Sequence, residues 1–220
     1  MDNKKIPSTD TEQAREVRDA YHHGSLRESL IAAADDILSE RGVAGFTLRE
    51  AARRAGVSVA APAHHFGSAA GLLSEVAILG FAELARYLKE AGGALTGAAR
   101  MRALGKAYVC FALAYPGRFH LMFRHDLLLA EEARLEIAGQ AALAEVEQAV
   151  RLYLGMAADQ PLDKAARTIK LLAWSTVHGF AHLALDGKFD NLAMMDAGMG
   201  DFLEDILPAV LLAQWPDNKA

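Results

Sequence analysis

Residues 46–66 read FTLREAARRAGVSVAAPAHHF, and the reading of this stretch decides the fold. Thr47 followed three residues later by Glu50 is a capping box, which opens a short helix reaching about Ala55. Gly56 supplies a tight turn, and Ser58 starts a second short helix that runs to about His65. Two short helices joined by a glycine turn make a helix-turn-helix. That motif needs small residues where the helices touch and an apolar pin for the second one. Ala51 and Ala52 meet the first need and Val57 the second. A helix starting at Ser58 presents free N–H groups suited to a phosphate. The second helix would enter a major groove with Val59, Ala60, Ala61, Ala63, His64 and His65 near the bases. Thr47, Arg49, Arg53 and Arg54 lie on the bracing helix, where phosphate contacts arise. The competing reading is a helical bundle with a chance Ala-Gly-Val-Ser turn.

Outward from this stretch, helical periodicity dominates and no segment alternates long enough to make a sheet. The expected fold is all-α. Residues 1–20 are polar and mixed in charge, which reads as a flexible arm. Ser25 with Glu28 is a further capping box. Behind it Leu26, Leu30, Ala33, Ala34, Ile37 and Leu38 form one apolar stripe that Gly42 ends. Ser68 caps a long helix bearing Leu72, Leu73, Val76, Leu84 and Leu88, and Gly92–Gly93 stops it. Five more helical segments follow, at about 98–114, 117–125, 128–157, 162–187 and 197–213, with Pro208 kinking or splitting the last. Pro62 would be the fourth residue of the second short helix, where its ring removes one bond to the Ser58 carbonyl.

The 220 residues are 52% hydrophobic and 23% charged, so a sizeable core can form and the chain as a whole is not disordered. No run approaches the ~20 apolar residues that span a bilayer. The N-terminus has two lysines but no apolar stretch behind them, so a cytoplasmic protein without membrane attachment is expected. The single Cys110 excludes an intrachain disulfide and any Cys-rich metal site. Net charge is −5, which gives no global support for a nucleic-acid partner. Between Thr47 and Phe66, however, three arginines and two histidines face a single acid, Glu50.

Four pieces in order carry a resemblance: YHHGSLRESLIAAADDILSERG, then FTLREAARRAGVS, then the short helix ending in HHF, then the long helix from Gly71. Together they resemble the TetR family of transcriptional regulators, over about residues 21–75. The resemblance implies a three-helix helix-turn-helix domain at 21–70 followed by a helical effector-binding and dimerisation domain at 71–215. It also implies a homodimer on a near-palindromic double-stranded DNA operator, most often as a repressor released by a small molecule. Two positions depart from the family pattern. A tyrosine is usual at Ala63 and a lysine near Ala69, each a phosphate anchor, and their loss should weaken binding and flatten its salt dependence. The Ala-Ala-Pro run at 60–62 occurs in related members, which marks Pro62 as a subfamily feature.

Farther along, AYPGRFHLMF (114–123) and AWSTVHGFAHLAL (173–185) are similar to a TetR subfamily with a W-x-x-x-H-G motif, here Trp174, His178 and Gly179. That likeness implies a cavity among the middle helices and a dimer seam on the last two long ones. Leu104, Tyr108, Phe111, Phe119, Met122, Phe123, Trp174, Val177 and His178 are the candidate cavity residues, suited to a mostly apolar ligand. Any one of them can equally be plain core. His178, beside Trp174 on an apolar face, needs a polar partner. His178, His182 and Asp186 share one helix face, but i to i+8 spans about 12 Å, too far for one ion. No metal and no cofactor is expected.

Other functions stay open on the residues alone. An enzyme is disfavoured by the lack of a nucleophile elbow, a phosphate loop or paired carboxylates in an apolar setting. A protein-interaction adaptor with a degenerate helix-turn-helix is kept in view by the missing tyrosine and lysine.

Overall fold

The computed structural model describes residues 26–189 and 202–217, and every described element is helical. The Ser25 cap, the 1–20 arm and the 197–201 start of the last helix lie outside the described residues. Helix α1 (26–41) buries Leu30, Ile31, Ala34, Ile37 and Leu38 along one stripe. It ends at Gly42, whose φ of 63° with an extended ψ of −174° is a conformation that favours glycine. A 3₁₀ turn at Val43–Gly45 leads to α2 (Leu48–Arg54), α3 (Ala61–Phe66) and α4 (Ala69–Gly92).

The caps are local chemistry. The Glu50 N–H donates to Thr47 Oγ1 at 3.1 Å, and the Gly71 N–H to Ser68 Oγ at 3.1 Å. Only half of the first capping box forms, because the Glu50 carboxylate turns instead to Arg53 and Arg54. The second short helix also starts later than its sequence suggests. Ser58 makes no side-chain cap: its carbonyl accepts from the Ala61 N–H at 3.0 Å in a single turn, and the helix opens at Ala61. Pro62 explains the shift. With no N–H it fits only the first turn of a helix, so it sits second, buried, and disrupts no bond.

Helix α4, about 36 Å long at 1.5 Å per residue, runs from under α3 into the rest of the molecule, packing along the helices Gly97–Ala114 and Ala133–Leu154. The remaining helices are α5 (Gly97–Ala114), α6 (Pro116–Met122), α7 (Ala133–Leu154), α8 (Lys164–Leu185) and α9 (Leu207–Gln214). The expected 128–157 segment begins only at Ala133, with Glu132 as its cap. Pro208 does split the last segment: a π-turn at Phe202–Ile206 precedes it, and the proline takes the second position of α9.

Two joints tie α1 to the C-terminal helices. A Cβ on Gly117 would lie 2.6 Å from the Leu38 carbonyl, so α6 rests directly on the α1 backbone. Beside it Arg118 pairs with Asp35 through both carboxylate oxygens. The second joint is Glu75 of α4, held between Arg27 of α1 at 2.5 Å and Arg134 of α7 at 2.6 Å.

Candidate nucleic-acid interface and effector cavity

The helix-turn-helix presents one exposed face. Ser58, Val59, Ala60, Ala63 and His64 are exposed on it, with Ala61 and His65 half-buried at its edge. Ala51 and Ala52 are fully buried where α2 is crowded by its neighbours. On α2, Thr47, Arg49 and Arg53 face solvent, while Arg54 does not. Its guanidinium bonds Glu40 of α1 at 2.8 and 2.6 Å and Glu50 at 3.1 Å. Arg54 thus fastens α2 onto α1, a partnership that local sequence could not reveal. Arg53 and Arg54 also hold the Glu50 carboxyl down to about 2, so this network stays charged at any ordinary pH.

The candidate cavity residues divide into two groups. Leu104, Tyr108, Trp174 and Val177 line a largely apolar cavity of about 40 Å³ together with Leu88, Met101, Ala173 and Trp215. Phe111, Phe119, Met122, Phe123 and His178 do not line it. Phe111 is packed against Tyr87 and Tyr115, and Met122 against the Cα of Gly80. Phe119 and Phe123 instead enclose His178, with ring centroids 5.3 and 4.6 Å away.

Tyr108 joins the groups. The Trp174 indole N–H donates to the Tyr108 hydroxyl at 3.4 Å, and that hydroxyl lies 2.8 Å from His178 Nδ1. Burial and the neighbouring His182 push the His178 imidazole below its usual value, which favours the neutral ring as acceptor for the Tyr108 proton. Burial likewise raises the Tyr108 hydroxyl, keeping it a donor. The polar partner that His178 requires is therefore on α5, 70 positions away in sequence.

Sequence patterns gave no sign of His120, which α6 brings within 5.4 Å of the His182 ring. Trp215 was also missed; it closes the cavity from beyond α9, its ring against Tyr153. A His–Trp pair at a fixed helical spacing is visible in a string of letters, whereas a ring arriving from another helix is not. Among the described residues, no group of three or more His, Cys, Asp or Glu side chains is placed to hold a metal ion. No described helix is long and apolar enough to cross a membrane.

Comparison with known proteins extends this picture. Residues 30–76 match the family described as bacterial regulatory proteins, tetR family, and residues 101–208 match the tetracyclin repressor-like C-terminal domain. A solved structure of a protein of unknown function from Rhodococcus sp. RHA1 is 34% identical, with a TM-score of 0.69 over 89% of this chain and 95% of that one. The uncharacterized HTH-type transcriptional regulator YobS of Bacillus subtilis is 24% identical over 84% of this chain and 94% of its own length. The TetR family transcriptional regulator PfmR of Thermus thermophilus, at 16% identity, shares the fold with a TM-score of 0.58 over 87% of this chain and 99% of its own. A helix-turn-helix domain followed by a helical C-terminal domain, both matched in order, places this chain in the TetR family of DNA-binding transcriptional regulators, a family of regulators and not of enzymes.

Proposed function

We propose that the protein is a cytoplasmic homodimeric repressor, released from a near-palindromic operator by a small, mostly apolar ligand. One observation carries this reading: α4 is shared by both candidate sites. Its N-terminal turn, capped by Ser68, lies under α3, and its Leu88 forms part of the cavity wall with Tyr108 and Trp174. A ligand that shifts α4 at one end changes the spacing of the two recognition helices at the other, and ~1–3 kcal/mol of differential binding suffices. At about 40 Å³ the cavity is far smaller than the roughly 300–1,000 Å³ of an ordinary ligand pocket. Ligand entry therefore requires side chains to move, and Trp174, 42% exposed at the rim, is the movable wall. The Trp174, His178 and Gly179 pattern is assigned to the W-x-x-x-H-G subfamily, with domains at 21–70 and 71–215 behind an arm at 1–20.

The dimer seam is assigned to α8 and α9. Leu171, Leu172 and Leu183 on α8 and Leu212 on α9 are all exposed, more apolar surface than a lone monomer leaves on two adjacent helices. Phe180 stacks on Phe202 of the same chain at 4.8 Å, so Leu183→Arg with Leu212→Arg tests the seam better than a change at Phe180. Sedimentation should show monomers, and a variant that remains dimeric places the seam elsewhere.

Footprinting on the chain's own upstream DNA tests the function, with protection expected on two half-sites roughly 34–36 Å apart or somewhat more. Trp174→Ala should abolish release by ligand while operator affinity stays within a few-fold of the parent. Loss of both together makes Trp174 a structural contact and moves sensing to the Leu104 and Tyr108 wall of the cavity, since Phe111 and Met122 are packed away from it. Protection that is absent at low salt favours the adaptor reading, which draws on Arg54 being tied to Glu40 rather than free for phosphate.

A further inference from the structure

A second cleft, of about 410 Å³, lies where the end of α1 meets α6 and α8. One wall is Gly42 and Val43, just past α1. The other is His120, Phe123 and Arg124 at the end of α6, with His182 of α8. Among the described residues, the polar side chains lining it are two imidazoles and a guanidinium, with no carboxylate. His120 and His182 are half-buried, their rings packed against Phe119 at 5.9 and 5.0 Å and against each other at 5.4 Å. Among the described residues neither imidazole has a hydrogen-bond partner, and their nitrogens are open to solvent or to an occupant of the cleft.

We propose that this cleft is a second ligand site, which takes a small organic carboxylate. The carboxylate group meets His120, His182 and the Arg124 guanidinium, and the apolar body lies on Phe123 and Val43. Charge favours an anion over a metal ion. Arg124 pairs with Asp126 through Nε and Nη2 and keeps Nη1 to donate, and among the described residues no third metal-ligating side chain joins the two histidines. Apolar walls on both sides favour an organic acid over a bare phosphate.

Burial and the neighbouring His182 hold His120 below its usual value, with Asp186 at the end of α8 opposing them from nearby. His178 is the next imidazole along α8, at 4.7 Å from His182, and Arg124 is itself held by Asp126 at 2.8 and 2.7 Å. The α1 wall, Gly42 and Val43, brings no titratable group. A bound carboxylate favours the charged imidazole and so raises the His120 midpoint.

The two walls belong to different parts of the molecule, so an occupant spans the same joint that Arg118–Asp35 and Gly117 make. Such a ligand holds the helix-turn-helix in the orientation seen here. It is a different site from the Tyr108–Trp174 cavity, and its failure would leave the operator and the cavity ligand untouched.

The test uses the full-length protein and the histidine ring signals in proton–carbon NMR, with sodium benzoate as probe and benzamide and inorganic phosphate as controls. Benzoate should shift the His120 and His182 signals saturably and raise the His120 midpoint, with benzamide and phosphate inactive at equal concentration. Combining His120→Phe and His182→Phe keeps both rings but removes the nitrogens. Followed through the Arg124 and Val43 signals, it should weaken benzoate by about tenfold or more. Val43→Trp, which fills the cleft from the other wall, should abolish the shifts and keeps the proposal testable if the double variant does not fold. Shifts produced equally by benzamide or phosphate, or unaffected by Val43→Trp, overturn the proposal. So does the absence of any saturable shift.

Discussion

The helix-turn-helix and the C-terminal helices are held together by different means. In the former, small side chains let helices meet closely, and charges lock them: Ala51 and Ala52 are fully buried, and Arg54 bridges Glu40 and Glu50. In the latter, rings make the contacts. Tyr108, Phe119, Phe123, Trp174, His178 and His182 form one continuous set of edge and tilted contacts. Charge locks fix distances and leave little slack. Ring clusters keep their burial through small rotations, which suits a part that must admit a ligand while the reading head keeps its shape.

If that contrast holds, the largest loss comes from removing a ring. Phe119 is fully buried, and Phe119→Ala should cost about 3–5 kcal/mol in denaturant unfolding. A loss under about 1 kcal/mol would mean that the cluster is already loose. Next comes the joint between the two regions. Gly117→Ala places a methyl 2.6 Å from the Leu38 carbonyl, overpacking worth about 1–3 kcal/mol, and it should lower operator affinity as α6 is pushed off α1. Unchanged affinity in a destabilised variant would show that the head does not depend on this contact. Within the helix-turn-helix, Thr47→Ala removes the acceptor for the Glu50 N–H and should cost ~1 kcal/mol, with the ion-pair network intact in its crystal structure.

The smallest effect separates the regions by pH. His178 and His120 are both held below the ordinary 6.5 of histidine, chiefly by burial. A base with a lowered folded-state value binds fewer protons in the folded protein than in the unfolded chain. Its contribution is therefore fully present above about pH 6.5 and is lost as pH falls toward the lowered values. The melting temperature should drop over that window, and His178→Phe should flatten the drop. Glu50, held at about 2, titrates far below this window and takes no part in the change. A Tm independent of pH between about 7 and 5 would argue that these imidazoles charge freely in the folded state.

What could be read in the sequence follows the same division. Thr47, Gly42, Gly56, Ser68 and Gly92–Gly93 act on neighbours within a few residues, and the helix limits they set match the observed ones closely. The helix-turn-helix face from Ser58 to His64 was legible for that reason. The late start of α3 was not, because Pro62 as a first-turn residue and Pro62 as a tolerated interruption give the same letters. Arg54 read as a surface cation until Glu40 arrived from another helix. In the C-terminal helices, composition marked Tyr108, Trp174 and His178 as unusual, yet it could not say which would line the cavity. That depended on Leu88 of α4, Met101 of α5 and Trp215 beyond α9. Gly117 looked like an ordinary residue after a proline, and its role rests on the backbone of Leu38, far earlier in the chain.

The π-turn at Phe202–Ile206 has a consequence for how the end of the chain tolerates change. A π-turn carries one residue more than the α-helical path it replaces, and each residue rotates a helix by about 100°. That extra step lets Phe202 stack on Phe180 and Phe189 while Leu207 and Leu211 still point into the core. Leu211 fits against Gly105, where a Cβ would sit 2.6 Å from its Cδ2. The turn therefore acts as a phase setting for the final helix. Exchanging Asp205 for another polar residue leaves the phase alone. Deleting it would swing Leu207 and Leu211 around by the same rotation and carry them off the Gly105 seat, so length matters more than identity at this point of the chain.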